Sequence, residues 1–205
     1  MTHPILYSFR RCPYAMRARL AIRSAGVETE HREILLRDKA PEFLAASPKG
    51  TVPVVVNGVE VIEESLDIMH WALRKNDPEG LLDMPPEGHA LIEENDTRFK
   101  HALDRTKYAE KYQSDPEIER KKAQTFLDRL GQHCSENKYL LADRPTLADL
   151  AIFPFIRQFA HIDRGRFDRD APKPLQNWLD GFLSSDAFAA IMQKYPKWEG
   201  DFAPE

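Results

Sequence analysis

Only two cysteines, Cys12 and Cys134, stand in 205 residues. That is too few for a disulfide scaffold at this length, so a bridge-stapled fold is excluded and a reducing compartment suits the chain. Long apolar runs are missing as well. The most apolar stretch, Leu147 to Phe159, falls short of the ~18 residues that cross a bilayer and contains Asp149 and Arg157. At the start of the chain, apolar Pro4-Ile5-Leu6-Tyr7 precedes basic Arg10-Arg11, the reverse of a secretion signal. The expected location is therefore cytoplasmic, with no membrane partner. Neither sign of charge dominates: 29 Lys+Arg against 33 Asp+Glu give a net charge of −4, which repels a phosphate backbone and argues against nucleic acid as a partner. The seven histidines (His3, His31, His70, His89, His101, His133, His161) show no metal-ligand spacing, so no metal is expected. No glycine-rich phosphate loop, internal repeat or low-complexity segment is present. What remains, 42% apolar and 30% charged residues, can bury a core as one large domain or two small ones.

The pattern along the chain favours two. Residues 4–9 read as a buried strand, followed by a turn at Arg11-Cys12-Pro13 and a helix with Tyr14, Ala18, Ala21, Ile22 and Ala25 on one face, stopped by Gly26. Residues 27–35 suit a second strand and 39–46 a short helix closed by Ser47-Pro48-Lys49-Gly50. Two β-branched runs, 52–56 and 59–62, flank Asn57-Gly58, a hairpin signal, and a helix over 65–75 completes the unit. The order βαβαββα requires a mixed sheet, the first two strands parallel through a crossover helix and the last two antiparallel. This is a thioredoxin-like α/β layout, expected over residues 1–77. A breaker-rich linker follows over 78–86, and helical patterns at 87–112, 116–137, 146–161, 173–182 and 186–194 predict an all-α part over 87–205. The acidic excess lies in that second part.

Chemistry concentrates in the first part. Cys12 stands at a strand end just before Pro13 and a helix, where unpaired N–H groups and the positive end of the helix dipole favour a thiolate, with Arg10 and Arg11 adding to the bias. The alternative is an inert core cysteine. In Cys12-Pro13-Tyr14-Ala15 no second thiol is placed to resolve a mixed disulfide, so a partner thiol must come from solution. Cys134, among polar residues, is either structural or resolving. Val52-Pro53 is either an ordinary trans bond or a cis bond that turns the Val52 backbone outward to pair with an extended peptide. Ser65 is expected as the N-cap of the 65–75 helix, either as a cap alone or also meeting a ligand carboxylate, with Glu64 beside it to meet an ammonium. Thr146-Leu147-Ala148-Asp149 has capping-box spacing, a stabilising device.

These segments resemble the cytosolic glutathione transferases over essentially the whole chain. The resemblance rests on Cys12 to Ala15, Ser47 to Val54 (SPKGTVPV), Ile62 to Ser65 and Thr146 to Asp149, in that order. Cysteine in place of the usual Ser or Tyr is similar to the omega-class and related bacterial cysteine-type enzymes. Glu64 to Ile68 also resembles the two-domain glutaredoxins, from which Ala15 departs. The resemblance implies glutathione as co-substrate and a homodimer. It implies that Cys12, flanked by Pro13 and Tyr14, bonds or abuts the glutathione sulfur, and that Val52, before Pro53, pairs with its cysteinyl backbone. It further implies that Glu64 and Ser65 hold the γ-glutamyl end and that Lys39 meets the glycyl carboxylate, although Ala40 interrupts the alignment there. Tyr108 and Tyr112, one helical turn apart, either face a second-substrate cleft or pack between helices. The activity so implied is thiol transfer through a Cys12 mixed disulfide: disulfide reduction, deglutathionylation and dehydroascorbate reduction. The rival readings are conjugation of glutathione to electrophiles and a non-catalytic transferase-like module that binds a protein partner.

Overall fold

The computed structural model describes residues 3–200. They form two compact units, one comprising residues up to Pro78 together with the segment from Asp186 onward, the other Glu79–Ser185. The first unit carries a four-stranded sheet of β1 (Ile5–Ser8), β2 (Glu30–Glu33), β3 (Val54–Asn57) and β4 (Glu60–Ile62), in the order β2-β1-β3-β4. β1 and β2 run parallel, with Ile5 opposite Glu30, whereas β3 is antiparallel to both β1 and β4. A parallel pair needs a crossover, and helix α1 (Pro13–Ser24) supplies it. It begins with Pro at its first turn, where the missing N–H costs nothing, and ends in paired bonds from Gly26 N to Arg23 O and Val27 N to Ile22 O. Helices α2 (Pro41–Ala46) and α3 (Ser65–Lys75) complete the βαβαββα order, and α3 packs on α1. The mixed thioredoxin-like sheet anticipated from the sequence is thus present.

Two details differ from the sequence reading. The hairpin turns at Gly58-Val59, one residue later than Asn57-Gly58, because Asn57 still pairs with Glu60. A two-residue loop with positive φ only at its first position needs glycine there, and Gly58 has φ +65°. The second strand occupies only four of the nine residues in 27–35. Beneath the sheet, Tyr7, Ile34, Phe43, Val52 and Val54 form a buried cluster against which Cys12, Phe9 and Trp198 pack.

The end of the described chain also differs. The sequence groups it with the helical part, but α11 (Asp186–Ile191) packs on α1, and Trp198 N donates to Glu33 O at 2.9 Å, which lays the segment along the β2 edge. Arg32, buried in β2, stands 4.3 Å from the Trp198 ring centre and 5.6 Å from that of Tyr7, and these aromatic faces anchor the segment. Such cover removes an open strand edge.

The second unit is helical: α4 (Pro86–Glu94), a π-helical stretch (Asn95–Phe99), α5 (Lys100–Lys107), α6 (Ala109–Tyr112), α7 (Pro116–Glu136), α8 (Leu147–Ala160), α9 (Arg164–Asp170) and α10 (Lys173–Leu183). The helix expected over 87–112 is therefore interrupted twice. At the π stretch, the Thr97 hydroxyl donates to Glu93 O at 2.7 Å, competing for a helix carbonyl. At Tyr108 the backbone leaves helical geometry (φ −120°, ψ 44°), and the Ser114 hydroxyl takes the Arg105 carbonyl. α9 has no counterpart in the sequence reading; its signal is the Asp163 cap, whose carboxylate accepts from Arg166 N.

The capping box at α8 forms, and its carboxylate does more than cap. Asp149, wholly buried, accepts from Thr146 N, Thr146 Oγ1, Leu140 N and Trp178 Nε1, all between 2.8 and 3.0 Å. Burial pushes its carboxyl above the ordinary range while these donors pull it back. The carboxylate thereby ties the 138–146 loop, the start of α8 and the α10 tryptophan to one point. No helix among the described residues is long and apolar enough to cross a membrane.

Candidate active site

Cys12 is the N-cap position of α1, with extended backbone (φ −74°, ψ 124°), and its side chain makes no cap bond to the helix. The loop before it is tight: Cys12 N donates to Phe9 O at 3.0 Å, and Arg10 N donates to the Glu33 carboxylate at 2.7 Å. The thiol is half-buried and points across to β3, where Sγ donates to the Val52 carbonyl at 3.7 Å. The Val52-Pro53 bond is cis.

Cys12 lines one side of an open groove of about 520 Å³, with Tyr14, Leu36, Lys39, Val52, Glu64 and Ser65 among the other lining residues. The size lies within the range of small-molecule sites. Lys39 reaches over the loop at Gly50, whose φ of +60° and missing side chain give it room; a Cβ there stands 3.1 Å from Lys39 Nζ and from Leu44 Cδ2. Opposite, Ser47, wholly buried, donates its hydroxyl to Glu63 at 2.6 Å, and Lys49 bridges Glu63 at 3.6 Å and Glu64 at 3.2 Å. Those carboxylates hold the exposed Lys49 ammonium above its ordinary pKa, chiefly through the bond to Glu64.

Ser65 is not the cap of α3. It is the first helical residue, Glu64 is the N-cap, and the Ser65 hydroxyl accepts from Arg17 Nε at 2.9 Å instead of closing the helix. This corrects the expectation that Ser65 caps, and the reason is the buried guanidinium behind it. Arg17, in turn, stands 5.2 Å from the Tyr14 ring centre, so α1 fixes both a groove aromatic and the start of α3.

A second buried guanidinium lies behind the Cys12 loop. Arg19 donates to Ser8 Oγ, Arg10 O, Ile191 O and, at 3.4 Å, Phe9 O. Burial pulls its pKa down to about 10, against opposing pulls from Glu33 and Cys12. Sequence reasoning missed Arg17, Arg19 and Ser47. Arg17 and Arg19 stand on different sides of α1, which is buried over most of its length, so each guanidinium needs buried acceptors.

Cys12, Pro13, Tyr14, Lys39, Val52, Pro53, Glu64 and Ser65 all belong to the first unit, and all but Pro13 line the groove. Pro13 sits buried at the first turn of α1. Tyr108 and Tyr112 belong to the helical unit, both exposed, with Lys107 beside the first ring and Arg105 and Lys111 beside the second. Cys134, in α7, is half-buried, and burial together with Asp149 pushes its thiol up to about 12, which keeps it protonated. No group of three or more metal-ligating side chains occurs among the described residues.

The first unit thus carries a cysteine at the start of its first helix and a groove beside a cis-proline, and the second unit is helical. Comparison with known families gives the class. Residues 6–80 match the model for the glutathione S-transferase N-terminal domain and residues 90–181 that for its C-terminal domain. Glutathione S-transferase F9 of Arabidopsis thaliana is 31% identical over 173 residues, covering 77% of this chain and 80% of that protein. Glutathione S-transferase U22 of the same plant is 38% identical over 68 residues, which cover 33% of this chain and 31% of that protein. Among solved structures, a glutathione transferase family member from Pseudomonas fluorescens pf-5 with two glutathione bound superposes with a TM-score of 0.80 at 19% identity, covering 93% of this chain and 92% of that one. The chain belongs to the glutathione transferase family.

Proposed function

We propose that the protein is a cysteine-type, omega-like glutathione transferase that works by thiol transfer. The observation that carries this reading is the half-exposed Cys12 thiol at the start of α1, on the wall of a groove it shares with Lys39, Val52, Glu64 and Ser65. A helix start whose N–H groups are not closed by a side chain favours a thiolate. In the proposed cycle the Cys12 thiolate attacks the glutathionyl sulfur of a mixed disulfide, forming the Cys12–glutathione bond while the substrate sulfur leaves as a thiolate and takes a proton from water. The thiolate of a second glutathione then attacks that same sulfur, releasing glutathione disulfide and restoring Cys12. The substrate sulfur is reduced and the second glutathione oxidised. Ala15 stands where a resolving thiol would, which supports release by glutathione from solution.

The groove offers matching groups to the tripeptide. Val52 presents backbone to the cysteinyl unit, Ser65 and Glu64 face the γ-glutamyl end, and Lys39 faces the glycyl carboxylate. Glu64 reaches a ligand ammonium in exchange for its present partner Lys49. A relative of the same fold holds glutathione. Conjugation to electrophiles is the second reading, favoured by family membership, and the two separate in parallel steady-state assays on a mixed disulfide and an electrophile. Cys12→Ser is expected to reduce thiol transfer to the uncatalysed background with the unfolding midpoint unchanged. Wild-type turnover in that variant would overturn the assignment.

A further inference from the structure

We propose that Arg19 is a positioning residue for Cys12: its buried guanidinium ties down the loop that carries the thiol and places a fixed positive charge behind it. The inference rests on Cys12 being the reacting group. Three of the acceptors of Arg19, namely Ser8 Oγ, Phe9 O and Arg10 O, belong to residues two to four positions before Cys12. One of them, Phe9 O, is also the acceptor of the Cys12 N–H. The fourth acceptor, Ile191 O, closes the C-terminal segment onto the same point. A guanidinium suits this task because its planar fork serves several carbonyls at fixed angles while keeping its charge. Only 6% of Arg19 is exposed, so solvent screens that charge weakly.

Other charged and titratable groups share this surrounding. Arg10 and Arg11 lie on the loop. Glu33 approaches from β2, held by Arg10 N and by His31, and Tyr195 stacks on His31 at 4.0 Å between ring centres. Lys39, Glu63 and Glu64 line the groove. Among these, Arg19 is the cation bonded to the loop backbone from inside the fold, and Glu33 is the acid bonded to the same backbone. Their charges therefore bias the thiol in opposite directions, which allows a test in which two substitutions must move one quantity in opposite senses.

The test is the pH profile of Cys12 alkylation by iodoacetamide, read by mass at Cys12, with Cys134 as the slow internal control. It needs no glutathione, so it stands apart from the thiol-transfer assay. The expected result for Arg19→Met is a midpoint about one pH unit or more higher, hence roughly tenfold slower alkylation on the acid side. For Arg19→Lys, which keeps the charge but not the fork, a smaller rise is expected. For Glu33→Gln the midpoint is expected to fall. Arg19→Met with the wild-type profile overturns the proposal. If Arg19→Met does not fold, Arg19→Lys and Glu33→Gln decide: no rise in the first, or no fall in the second, overturns it. A wild-type Cys12 no faster than Cys134 overturns the reading of Cys12 itself and this inference with it.

Discussion

The start of α8 in the helical unit and those of α1 and α3 in the first unit are built on opposite plans. At α8 in the helical unit, Thr146 and Asp149 close the helix from within, and the carboxylate also accepts from Leu140 N and Trp178 Nε1. In the first unit, α1 and α3 begin without a side-chain cap; Cys12 and Glu64 occupy the cap positions, and Ser65 is turned to Arg17. A closed start stabilises a helix by about 1 kcal/mol or more. An open start beside a groove leaves donors and a positive dipole end for an anionic ligand or a thiolate. The same local feature, the head of a helix, is therefore closed within the protein at α8 and left open beside the groove at α1 and α3.

The contrast is sharpened first at Asp149. Asp149→Ala leaves buried donors without an acceptor and is expected to lower stability by about 3 kcal/mol or more, measured as the shift of the denaturant midpoint at constant slope. A loss below about 1 kcal/mol would remove the stabilising side of the comparison. Ser65→Ala comes next. It takes an acceptor from the buried Arg17 guanidinium and a hydroxyl from the groove, so stability should fall by about 1–2 kcal/mol and glutathione should bind about tenfold more weakly by titration calorimetry. Unchanged affinity would leave Ser65 only a structural partner of Arg17. Lys49→Ala is the smallest. Its ammonium is exposed and its pairs with Glu63 and Glu64 are screened, so glutathione affinity should change by no more than about twofold, with the difference fading as salt is added. A large, salt-resistant effect would mean that Lys49 itself contacts the ligand.

Much of this arrangement is legible in the chain because it is local. Proline after Cys12, glycine at 26, and β-branched runs flanking Asn57-Gly58 each restrict backbone angles within a few residues, and the strands and helices of the first unit appear where those restrictions predict. The turn fell one residue off because Asn57 joins the ladder by pairing with Glu60, a cross-strand contact that turn composition does not report. The break at Tyr108 and the π stretch at Asn95–Phe99 were illegible for a similar reason: hydroxyls of Ser114 and Thr97 take backbone carbonyls, and periodicity alone counts neither. The site followed the same rule. Cys12, Val52 and Ser65 stand out by their motifs, whereas Arg17 and Arg19 read as ordinary charges until their partners are seen: Ser65, 48 residues from Arg17, and for Arg19 the Ser8 to Arg10 turn together with Ile191, 172 residues away.

The sequence by itself determined the βαβαββα order of the first unit, the presence of a sheet-bearing part and a helical part, and the candidate nucleophile, because each depends on short-range sterics and on the spacing of apolar residues. Tertiary structure alone decided that the last segment covers the β2 edge, that Ser65 turns toward Arg17 instead of capping α3, and that Asp149 gathers a loop and a second helix. Those outcomes turn on which distant polar group fills each buried hydrogen bond, and burial makes an unfilled one costly enough to override local preference.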